Sequence, residues 1–535
     1  MKKINTALFC IFVLLFCSCD VLNKAPLDEI ADDSFWSDET LVKYYVNDLY
    51  SEISVDGLQL QENRSDNSVS AQRDKYRASW FKFNYDMVSA SAPQDDDVWE
   101  DYYVKVRKCN RFFERIGTST IEESEKSRLT GEVHFLRAMF YFEMVKRYGG
   151  VILLDKVLTM EDNWEIPRSS EKECYDFILD DLKKATEMLP ASYGSREKGR
   201  ATKGAAYALK SRVELYDKRY EDVIKSCAEV YKLGYELVDG TTPEKYRSIW
   251  WTTNKDNKEI IFDIQYKSPD VYNNMMVCNM VTYINDKYGD RGWGGLGPTQ
   301  ELVDAFEMAD GSPATAPADQ VFDINTCGIY EGREPRFYAN IVFHGSQIFF
   351  NADKGAVTVD RYLMDTPDKG DGSLTGYNVW KWIDYDNYNY PYAGASSPDF
   401  STNWIILRYA EIYLNDAEAR LETGDVEGAR KAVNVIRQRV GLPALTESDP
   451  AKLRELIRKE RRIEFAFEEQ RFYDVRRWKV GPETQTTLHG VRFVSPTEFK
   501  ITKTDIRTWN DRLYLTPIPH GEIVRSSVLT QNPGY

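Results

Sequence analysis

Histidine is scarce in this sequence and cysteine is scattered, which excludes most metal and nucleophile chemistry. The four histidines lie far apart and none belongs to an HExxH pair: His134, His344, His489 and His520. The five cysteines after Cys19 are never spaced as CxxC, so neither a disulfide framework nor a zinc site is predicted. They are expected to be buried as small apolar residues. GxSxG and Walker motifs are also missing, so the sequence predicts no catalytic centre, metal or cofactor.

Basic runs and a second long apolar run are missing as well. Beyond the amino-terminal segment, no stretch approaches the roughly 18 apolar residues of a spanning helix. The 535 residues carry a formal net charge of −16. A negative surface without Lys/Arg runs repels phosphate backbones, which argues against a nucleic-acid partner.

The chain does have a short apolar segment at its start, LFCIFVLLFCSC at 8–19. It follows Lys2 and Lys3 and ends at Ser18 and Cys19. A charged start, a short apolar run and a small residue before the cleavage point are typical of a secretory signal. A cysteine directly after that point resembles a bacterial lipoprotein signal, so Cys19 is expected to be acylated and to anchor the protein. An ordinary cleaved leader with a chance cysteine is the alternative.

Two helical blocks, 99–235 and 404–480, flank a middle segment, 236–403, of different character. Apolar residues recur three and four positions apart in both blocks, as in amphipathic helices. The helices predicted from this spacing are 129–148, a helix opened by 167–170 and ending at 188, 201–216, 220–231, 407–422, 426–440 and 452–474. In the middle segment the pattern predicts strands at 259–266 and 339–343, only one helix, 298–307 with Thr299 as its cap, and loops elsewhere.

Two of the helix pairs keep small residues where their helices would touch. Ala417 and Ala429 lie twelve positions apart across one turn, and Ser211 and Val223 repeat that spacing. Tetratricopeptide repeats place small residues in this way, and each pair buries its apolar face against the next pair. The blocks are therefore predicted to form a repeat-like scaffold.

Several segments, in one consistent order, carry a resemblance to a known family. They are GEVHFLRAMFYFEMVKRYGGVILL (131–154), GRATKGAAYALKSRVELY (199–216), PTQELVDAFEMADG (298–311), ILRYAEIYLNDAEAR (406–420), RKERRIEFAFEEQRFYDVRRW (458–478) and YLTPIPHGEIVRSSVLTQNPGY (514–535). Together with the Cys19 leader, they resemble the SusD/RagB family of outer-membrane nutrient-binding lipoproteins. The resemblance covers essentially the whole chain.

This resemblance implies both a fold and a function. The implied fold is mostly α, with tetratricopeptide-like helix pairs as a scaffold and an irregular lobe of loops and short strands that carries the ligand site. The implied organisation is a signal peptide at 1–18 and a single SusD-like domain at 19–535, whose carboxyl-terminal segment is 481–535. The implied function is capture of a glycan at the cell surface and its delivery to a SusC-like TonB-dependent transporter in the outer membrane.

Charged residues in the second block are predicted to be structural. Arg408 and Glu411 lie three positions apart at the start of one predicted helix, and Glu418 lies seven positions beyond Glu411. Paired carboxylates can be catalytic only in a cleft with opposed environments. Interleaved arginines instead favour an ion-pair network. The same prediction holds for a second set: Glu464, Glu468, Arg461, Arg462 and Arg471. The acidic turn at 365–372 fails the calcium-loop spacing.

Aromatic residues are the candidate ligand contacts, because a flat ring can cover the C–H face of a sugar while the polar atoms of the ring remain hydrated. Trp293 is the first candidate, since its glycine neighbours in DRGWGGLG leave the ring uncovered. Packing beneath the lobe is the alternative for Trp293. Weaker candidates are Trp80 and Asp96, whereas Trp99 is predicted to belong to the core.

A run of tyrosines, WIDYDNYNYPY at 382–392, is the second candidate site. Its rings alternate with Asp and Asn, and alternate residues of an extended segment share a face. The candidates are Tyr385, Tyr388, Tyr390 and Tyr392. A loop that contacts the transporter, or a polar turn without a ligand, are the alternatives.

Four functions remain open from the sequence. The first is a non-enzymatic glycan-binding lipoprotein that works with a TonB-dependent transporter. The second is the same architecture with peptides as ligands, the third an anchored hydrolase, and the fourth a repeat scaffold without a small ligand. The identity of the ligand is not predicted, because loop side chains set specificity.

Overall fold

The fold is that of a computed structural model, which describes residues 32–53, 60–76, 79–93, 97–267, 270–271, 273, 275–281, 292–314, 320–349, 356–364, 372–383 and 401–535. In chain order the helices are α1 Asp32–Ser37, α2 Glu39–Ser51, α3 Leu60–Asn63, α4 Arg73–Tyr76, α5 Trp99–Ile116, α6 Glu123–Tyr148, α7 Glu171–Met188, α8 Lys203–Tyr216, α9 Tyr220–Val230, α10 Pro243–Arg247, α11 Met275–Asn279, α12 Gln300–Ala305, α13 Pro335–Asn340, α14 Arg361–Met364, α15 Tyr409–Glu422, α16 Val426–Arg439, α17 Pro450–Glu464, α18 Arg471–Trp478, α19 Gly481–Thr484 and α20 His520–Arg525. The strands are β1 Ile260–Ile264, β2 Val321–Asp323, β3 Ile341–Val342, β4 Gln347–Phe349, β5 Ala356–Thr358, β6 Asn378–Val379, β7 Trp404–Arg408, β8 Thr487–Phe493 and β9 Glu498–Ile506. The predicted mostly α fold is confirmed.

The long helices form one continuous array. Helices α5 to α9 each pack against the next in chain order, α9 packs against α15, and α15 packs against α16. The second helical block therefore continues the array of the first, although 178 residues separate Val230 from Tyr409. The middle segment is an insertion between two neighbouring helices of the scaffold.

Small buried residues lie at the predicted contacts of this array. Ser211 of α8 and Val223 of α9 are fully buried, as are Ala417 of α15 and Ala429 of α16. Small side chains let neighbouring helices approach closely, so the array is consistent with the predicted repeat-like scaffold.

Local sequence explains where these helices begin and end. Ser170 accepts a hydrogen bond from the Glu173 backbone N–H at 3.2 Å, and the Glu173 carboxylate accepts from the Ser170 N–H at 2.8 Å. This reciprocal pair is a capping box, and it starts α7 as the sequence predicts. Gly149, with φ of 70°, follows the last residue of α6, a left-handed conformation that glycine adopts without cost.

The lobe is fixed to the scaffold by a short antiparallel ladder. Strand β1 pairs with β7, with Ile264 opposite Trp404, and β7 runs directly into α15. A second sheet has the order β2–β9–β8, so the carboxyl-terminal hairpin packs with the lobe. Buried side chains form one large core in the helical array and another in the lobe.

Some predicted elements are wrong in detail. The predicted helix 452–474 is two helices, α17 and α18, because the chain turns between them with Phe467 at φ 66° and Glu469 at φ 60°. The predicted start of a helix at 407 is the end of β7. Residues 339–340 end helix α13 rather than begin a strand, and the lobe has further helices besides α12. Thr299 caps α12 as predicted, accepting from the Leu302 N–H at 3.2 Å.

A buried ionic network joins the lobe to the scaffold around Arg408. Its guanidinium donates to Glu464 Oε1 at 2.6 Å, to Glu259 Oε1 at 2.9 Å and to Glu468 Oε2 at 2.8 Å. The ammonium of Lys381, from the lobe, lies 2.5 Å from Glu468 Oε1. All five side chains are buried. The predicted structural role of Arg408, Glu464 and Glu468 is confirmed.

The other predicted carboxylates are paired in the same way. Arg212 Nε donates to Glu411 Oε1 at 2.7 Å, and Arg477 Nη2 donates to Glu418 Oε2 at 2.8 Å. Burial opposes the ionised form, but Arg477 holds the pKa of Glu418 at about 2. These carboxylates are structural ions and not an acid–base pair.

The described residues show where the cysteines lie and whether possible metal ligands are grouped. Cys109, Cys174, Cys227 and Cys278 are buried, and Cys327 is partly buried. Within this part of the chain no three His, Cys, Asp or Glu side chains are grouped to hold a metal ion. None of the helices in the described ranges is both long and apolar enough to cross a bilayer.

Candidate functional site

The backbone around Trp293 is held from two sides. On one side, the Ala71 N–H donates to Gly294 O at 3.1 Å, and Gln72 Nε2 donates to Trp293 O at 3.2 Å. On the other side, the Gly294 N–H donates to Met280 O at 3.2 Å. The ring of Trp293 is therefore presented by a backbone whose position is set by two other segments of the chain.

The glycines beside Trp293 make this arrangement possible. A Cβ on Gly292 would lie 2.5 Å from Met280 O, which no side chain tolerates. Gly294 has φ of 58°, a left-handed conformation. The residue Trp293 is 41% exposed. Of the two predicted alternatives for Trp293, the structure shows an exposed ring and not one packed beneath the lobe.

Trp80 belongs to a second aromatic group, in the segment that follows Gln72. Its ring stacks on Tyr76 with centroids 3.7 Å apart and planes 21° from parallel. Tyr76 ends α4, which starts one residue after Gln72, the residue whose side chain binds the Trp293 carbonyl. Trp293, Tyr76 and Trp80 are therefore carried by two adjoining segments, and we call these three residues the aromatic surface.

Polar groups fix the base of helix α4. The Arg73 guanidinium donates to Asp74 Oδ1 at 2.9 Å and lies 3.6 Å from Asp505 Oδ1 of β9. Asp505 also accepts from the Tyr85 hydroxyl at 2.8 Å. Burial, with Asp505 adding to it, raises the pKa of Tyr85, so this hydroxyl stays neutral. These contacts join the aromatic surface to the carboxyl-terminal sheet.

Helix α3 supports the aromatic surface from below and reaches the turn between α17 and α18. Asn63 Nδ2 donates to Gly295 O at 2.9 Å. Glu62 Oε1 accepts from Asn67 Nδ2 at 2.7 Å and from the Phe467 N–H at 3.0 Å. Burial raises the pKa of Glu62 to about 6. Glu62 thus links the candidate site to the structural network of the scaffold.

Replacing Glu62 with glutamine is expected to change how stability depends on pH. Because its folded-state pKa lies above the ordinary 4.5, the folded protein binds more protons between pH 4.5 and 6. The stabilisation from Glu62 is full below pH 4.5 and is lost as the pH rises through 6. Glutamine keeps the accepting Oε1 without a charge, so Glu62→Gln should raise the unfolding free energy above pH 6 by about 2 kcal/mol.

Urea denaturation of both proteins across this pH range measures the effect. Glu123→Gln is the matched control, because the Glu123 side chain is 86% exposed. The control should follow the unmodified protein at every pH. Equal stabilities of Glu62→Gln and the unmodified protein above pH 6 would contradict the raised pKa.

The remaining candidates separate into two groups. Trp99 is buried in the helical core, as predicted. Several candidates lie outside the described residues: Asp96, Tyr385, Tyr388, Tyr390, Tyr392 and the acylation candidate Cys19. Their roles stay predictions.

Sequence reasoning missed Tyr76. The signal that could have found it is its spacing, since Tyr76 lies four residues before Trp80, the separation at which side chains meet on a helical turn. Gln72 carries no such signal, because its contact with the Trp293 carbonyl joins residues 221 positions apart.

Comparison with known proteins identifies the family. The sequence model described as the SusD family matches residues 258–535, and the one described as starch-binding and associating with the outer membrane matches residues 21–215. A solved SusD-like protein of Bacteroides fragilis is 96% identical, covering 96% of this chain and 100% of its own, with a TM-score of 0.91. A SusD-like carbohydrate-binding protein of the same species is 25% identical, covering 93% of this chain and 100% of its own, with a TM-score of 0.79.

A curated relative agrees over its full length. A SusD-like protein of Formosa agariphila is 24% identical over 100% of both chains. The resemblance predicted from ordered motifs is therefore confirmed, and the motifs at 298–311, 406–420, 458–478 and 514–535 all fall inside the range matched by the SusD model. Because that range spans more than half of the chain and the fold agrees with it, this chain belongs to the SusD family.

Proposed function

We propose that this protein is a non-enzymatic, lipid-anchored glycan-binding protein of the outer membrane. It captures oligosaccharide or polysaccharide at the cell surface and passes it to a SusC-like TonB-dependent transporter. The observation that carries the proposal is the aromatic surface. Trp293 is exposed on a backbone held from two sides, and the stacked Tyr76 and Trp80 are carried by the segment that follows Gln72, one of the residues that hold that backbone.

The energetics of such a surface suit capture and release. An aromatic contact contributes about 0.5–1.5 kcal/mol beyond the burial of its area. Millimolar affinity needs about 4 kcal/mol and micromolar affinity about 8 kcal/mol. Two or three rings with a few hydrogen bonds supply binding in this range, from which a ligand dissociates easily.

The comparisons support the same proposal but do not identify the glycan that this protein binds. One solved relative is named as a carbohydrate-binding protein, and the family model that matches residues 21–215 is described as associating with the outer membrane. The carboxylates predicted to be structural are paired with arginines, so they do not supply the free acid and base that hydrolysis would need. The transporter partnership follows from the family resemblance.

Replacing Trp293 with alanine is expected to weaken binding of the best glycan in a polysaccharide panel by about tenfold or more. A lost ring contact with its buried area is worth at least the roughly 1.4 kcal/mol that a tenfold change represents. Isothermal titration calorimetry of the unmodified protein and of Trp293→Ala measures the difference.

Trp164→Ala is the matched control, because Trp164 is 58% exposed but lies in the loop between α6 and α7 of the scaffold. Its affinity for the same glycan should equal that of the unmodified protein. Glycan affinity that is unchanged in Trp293→Ala would contradict the aromatic surface as the site. A panel in which peptides bind and no glycan binds would overturn the proposed function.

A further inference from the structure

A cavity of about 350 Å³ lies where the helical array meets the lobe. One wall comes from α5, α6 and α8, and the other from β7 and the turn between α17 and α18. Asp101, whose side chain is 63% exposed, lies at its solvent side. The cavity shares none of its lining residues with the aromatic surface, and its volume falls in the range of small-molecule sites, roughly 300–1,000 Å³.

Lys146 of α6 supplies a hydrogen-bond donor to this cavity. Its Nζ lies 2.6 Å from Glu143 Oε1 and 4.0 Å from the centroid of the Tyr473 ring. Burial lowers the pKa of Lys146 to about 8, although Glu143 acts against the shift. An ammonium has three donors, so beyond Glu143 this group has N–H bonds to offer a ligand.

Gln61, another lining residue, supplies an acceptor. Its side chain lines the cavity, the residue is 8% exposed, and Oε1 has no hydrogen-bond partner among the described residues. A buried polar atom without a partner destabilises the folded state, so the fold places Gln61 here against its own stability. A ligand hydroxyl would satisfy that oxygen.

The turn that closes the cavity holds strained backbone. Phe467 and Glu469 have φ of 66° and 60°, a region that non-glycine residues rarely adopt. Glu62 accepts from the Phe467 N–H at 3.0 Å, and Trp382 Nε1 donates to Phe467 O at 3.0 Å. Such strain persists only where surrounding contacts hold it, and it concentrates at functional sites. Here it directs the backbone of 468–470 into the cavity wall.

Four charged side chains of the wall, those of Glu143, Lys146, Arg212 and Glu468, are paired within the protein. Glu143 accepts from Lys146 and also from Arg147 Nη1 at 2.6 Å. Arg212 is paired with Glu411, and Glu468 lies 2.8 Å from Arg408 Nε. A charged ligand would therefore bring an ion without a partner into a buried space, which is costly. A neutral ligand that both donates and accepts meets no such penalty.

We propose that this junction cavity is a second binding site, for a neutral polyhydroxylated molecule of one or two sugar rings. Its hydroxyls accept from Lys146 Nζ and donate to Gln61 Oε1, and its C–H faces lie against the rings of Tyr102, Tyr473 and Trp404, which line the cavity. The site does not rest on glycan capture at the aromatic surface.

Saturation-transfer NMR with D-glucose, D-galactose and lactose, each at millimolar concentration, tests the site. All proteins carry Trp293→Ala, which weakens the aromatic surface, and the cavity variants are compared within this background. At least one of these sugars is expected to bind, and both Lys146→Met and Gln61→Leu should weaken its binding at least tenfold. Glu143 stays paired with Arg147 in Lys146→Met, and Gln61→Leu removes only a polar end, so both variants should fold. Lys225→Met, an exposed lysine of α9 with a side chain 74% exposed, is the matched control and should bind as the background does.

Two results would overturn the inference. One is no saturation transfer from any of the three sugars, which would show a cavity that holds water only. The other is a sugar whose affinity is the same in the background, in Lys146→Met and in Gln61→Leu. D-glucuronate, which adds a carboxylate to the glucose frame, should bind at least tenfold more weakly than D-glucose, and tighter binding of glucuronate would overturn the neutral ligand class. None of these results depends on whether the aromatic surface binds polysaccharide.

Discussion

Replacing Arg408 with methionine is expected to lower the free energy of unfolding by about 3–5 kcal/mol. Arg408 donates to three carboxylates from three parts of the chain: Glu259 beside β1, Glu464 at the end of α17 and Glu468 in the following turn. Methionine fills a similar volume but offers no donor. The variant would leave buried carboxylates with fewer partners, which costs far more than the loss of a surface ion pair.

The remaining cations limit the effect without removing it. Glu259 keeps Arg439, at 2.9 Å, and Glu468 keeps Lys381, at 2.5 Å. Burial opposes ionisation, but Arg439 and Arg408 together hold the pKa of Glu464 well below its usual range. Removing Arg408 therefore takes one cationic partner away from the ionised Glu464 carboxylate, which is buried and has no access to water.

Urea denaturation of Arg408→Met, with Lys225→Met as control, measures this cost. Lys225 pairs with Asp222 on the surface, and exposed pairs contribute only about 0–1 kcal/mol. Adding Glu468→Gln to Arg408→Met should restore part of the stability, because the double variant no longer contains the Glu468 carboxylate that has lost Arg408 as a partner. A loss no larger than that of Lys225→Met would show that the network does not hold the lobe on the scaffold.

The helical array is the part of the fold that the sequence predicts well, for a physical reason. Each of its helices buries one face against its neighbour, so apolar spacing and small residues such as Ala417 and Ala429 carry the needed information locally. The ordered motifs indicated the family, and the family in turn implied the mostly α architecture that the structure confirms.

The turn between α17 and α18 shows where this reasoning fails. The charged run at 452–474 has helical spacing throughout, yet Phe467 and Glu469 leave the helix with positive φ. Their conformation depends on Glu62 and Trp382, which lie 405 and 85 positions away from Phe467. A local sequence pattern carries no information about such distant contacts. A prediction based on helical spacing therefore continues the helix through the turn.

The candidate site is predictable only in part for the same reason. Glycine neighbours correctly single out Trp293 as a ring that can be exposed, but its exposure is decided by residues 71–72 and Met280, which hold its backbone. Trp80 is found from its residue type, whereas its stacking partner Tyr76 is missed. When a site is assembled from distant segments, the sequence shows which residues are candidates but not which of them lie close together in space.

Replacing Cys19 with serine is expected to abolish acylation and to release the protein from the membrane fraction. Each methylene of a buried acyl chain contributes about 0.8 kcal/mol, and one chain alone binds only marginally. Two or three chains on one cysteine hold the protein firmly, and serine offers no thiol to carry the first of them. Incorporation of radiolabelled palmitate, together with membrane fractionation, measures both effects.

Cys17→Ser is the matched control, since Cys17 lies in the same leader but follows the bulky Phe16, which disfavours cleavage before it. It should keep both label and membrane association. Label that persists in Cys19→Ser would contradict acylation at this residue, and label lost only in Cys17→Ser would move the anchor. Released Cys19→Ser protein should still bind glycan in solution, because the proposed acylation site and the proposed glycan site are different residues.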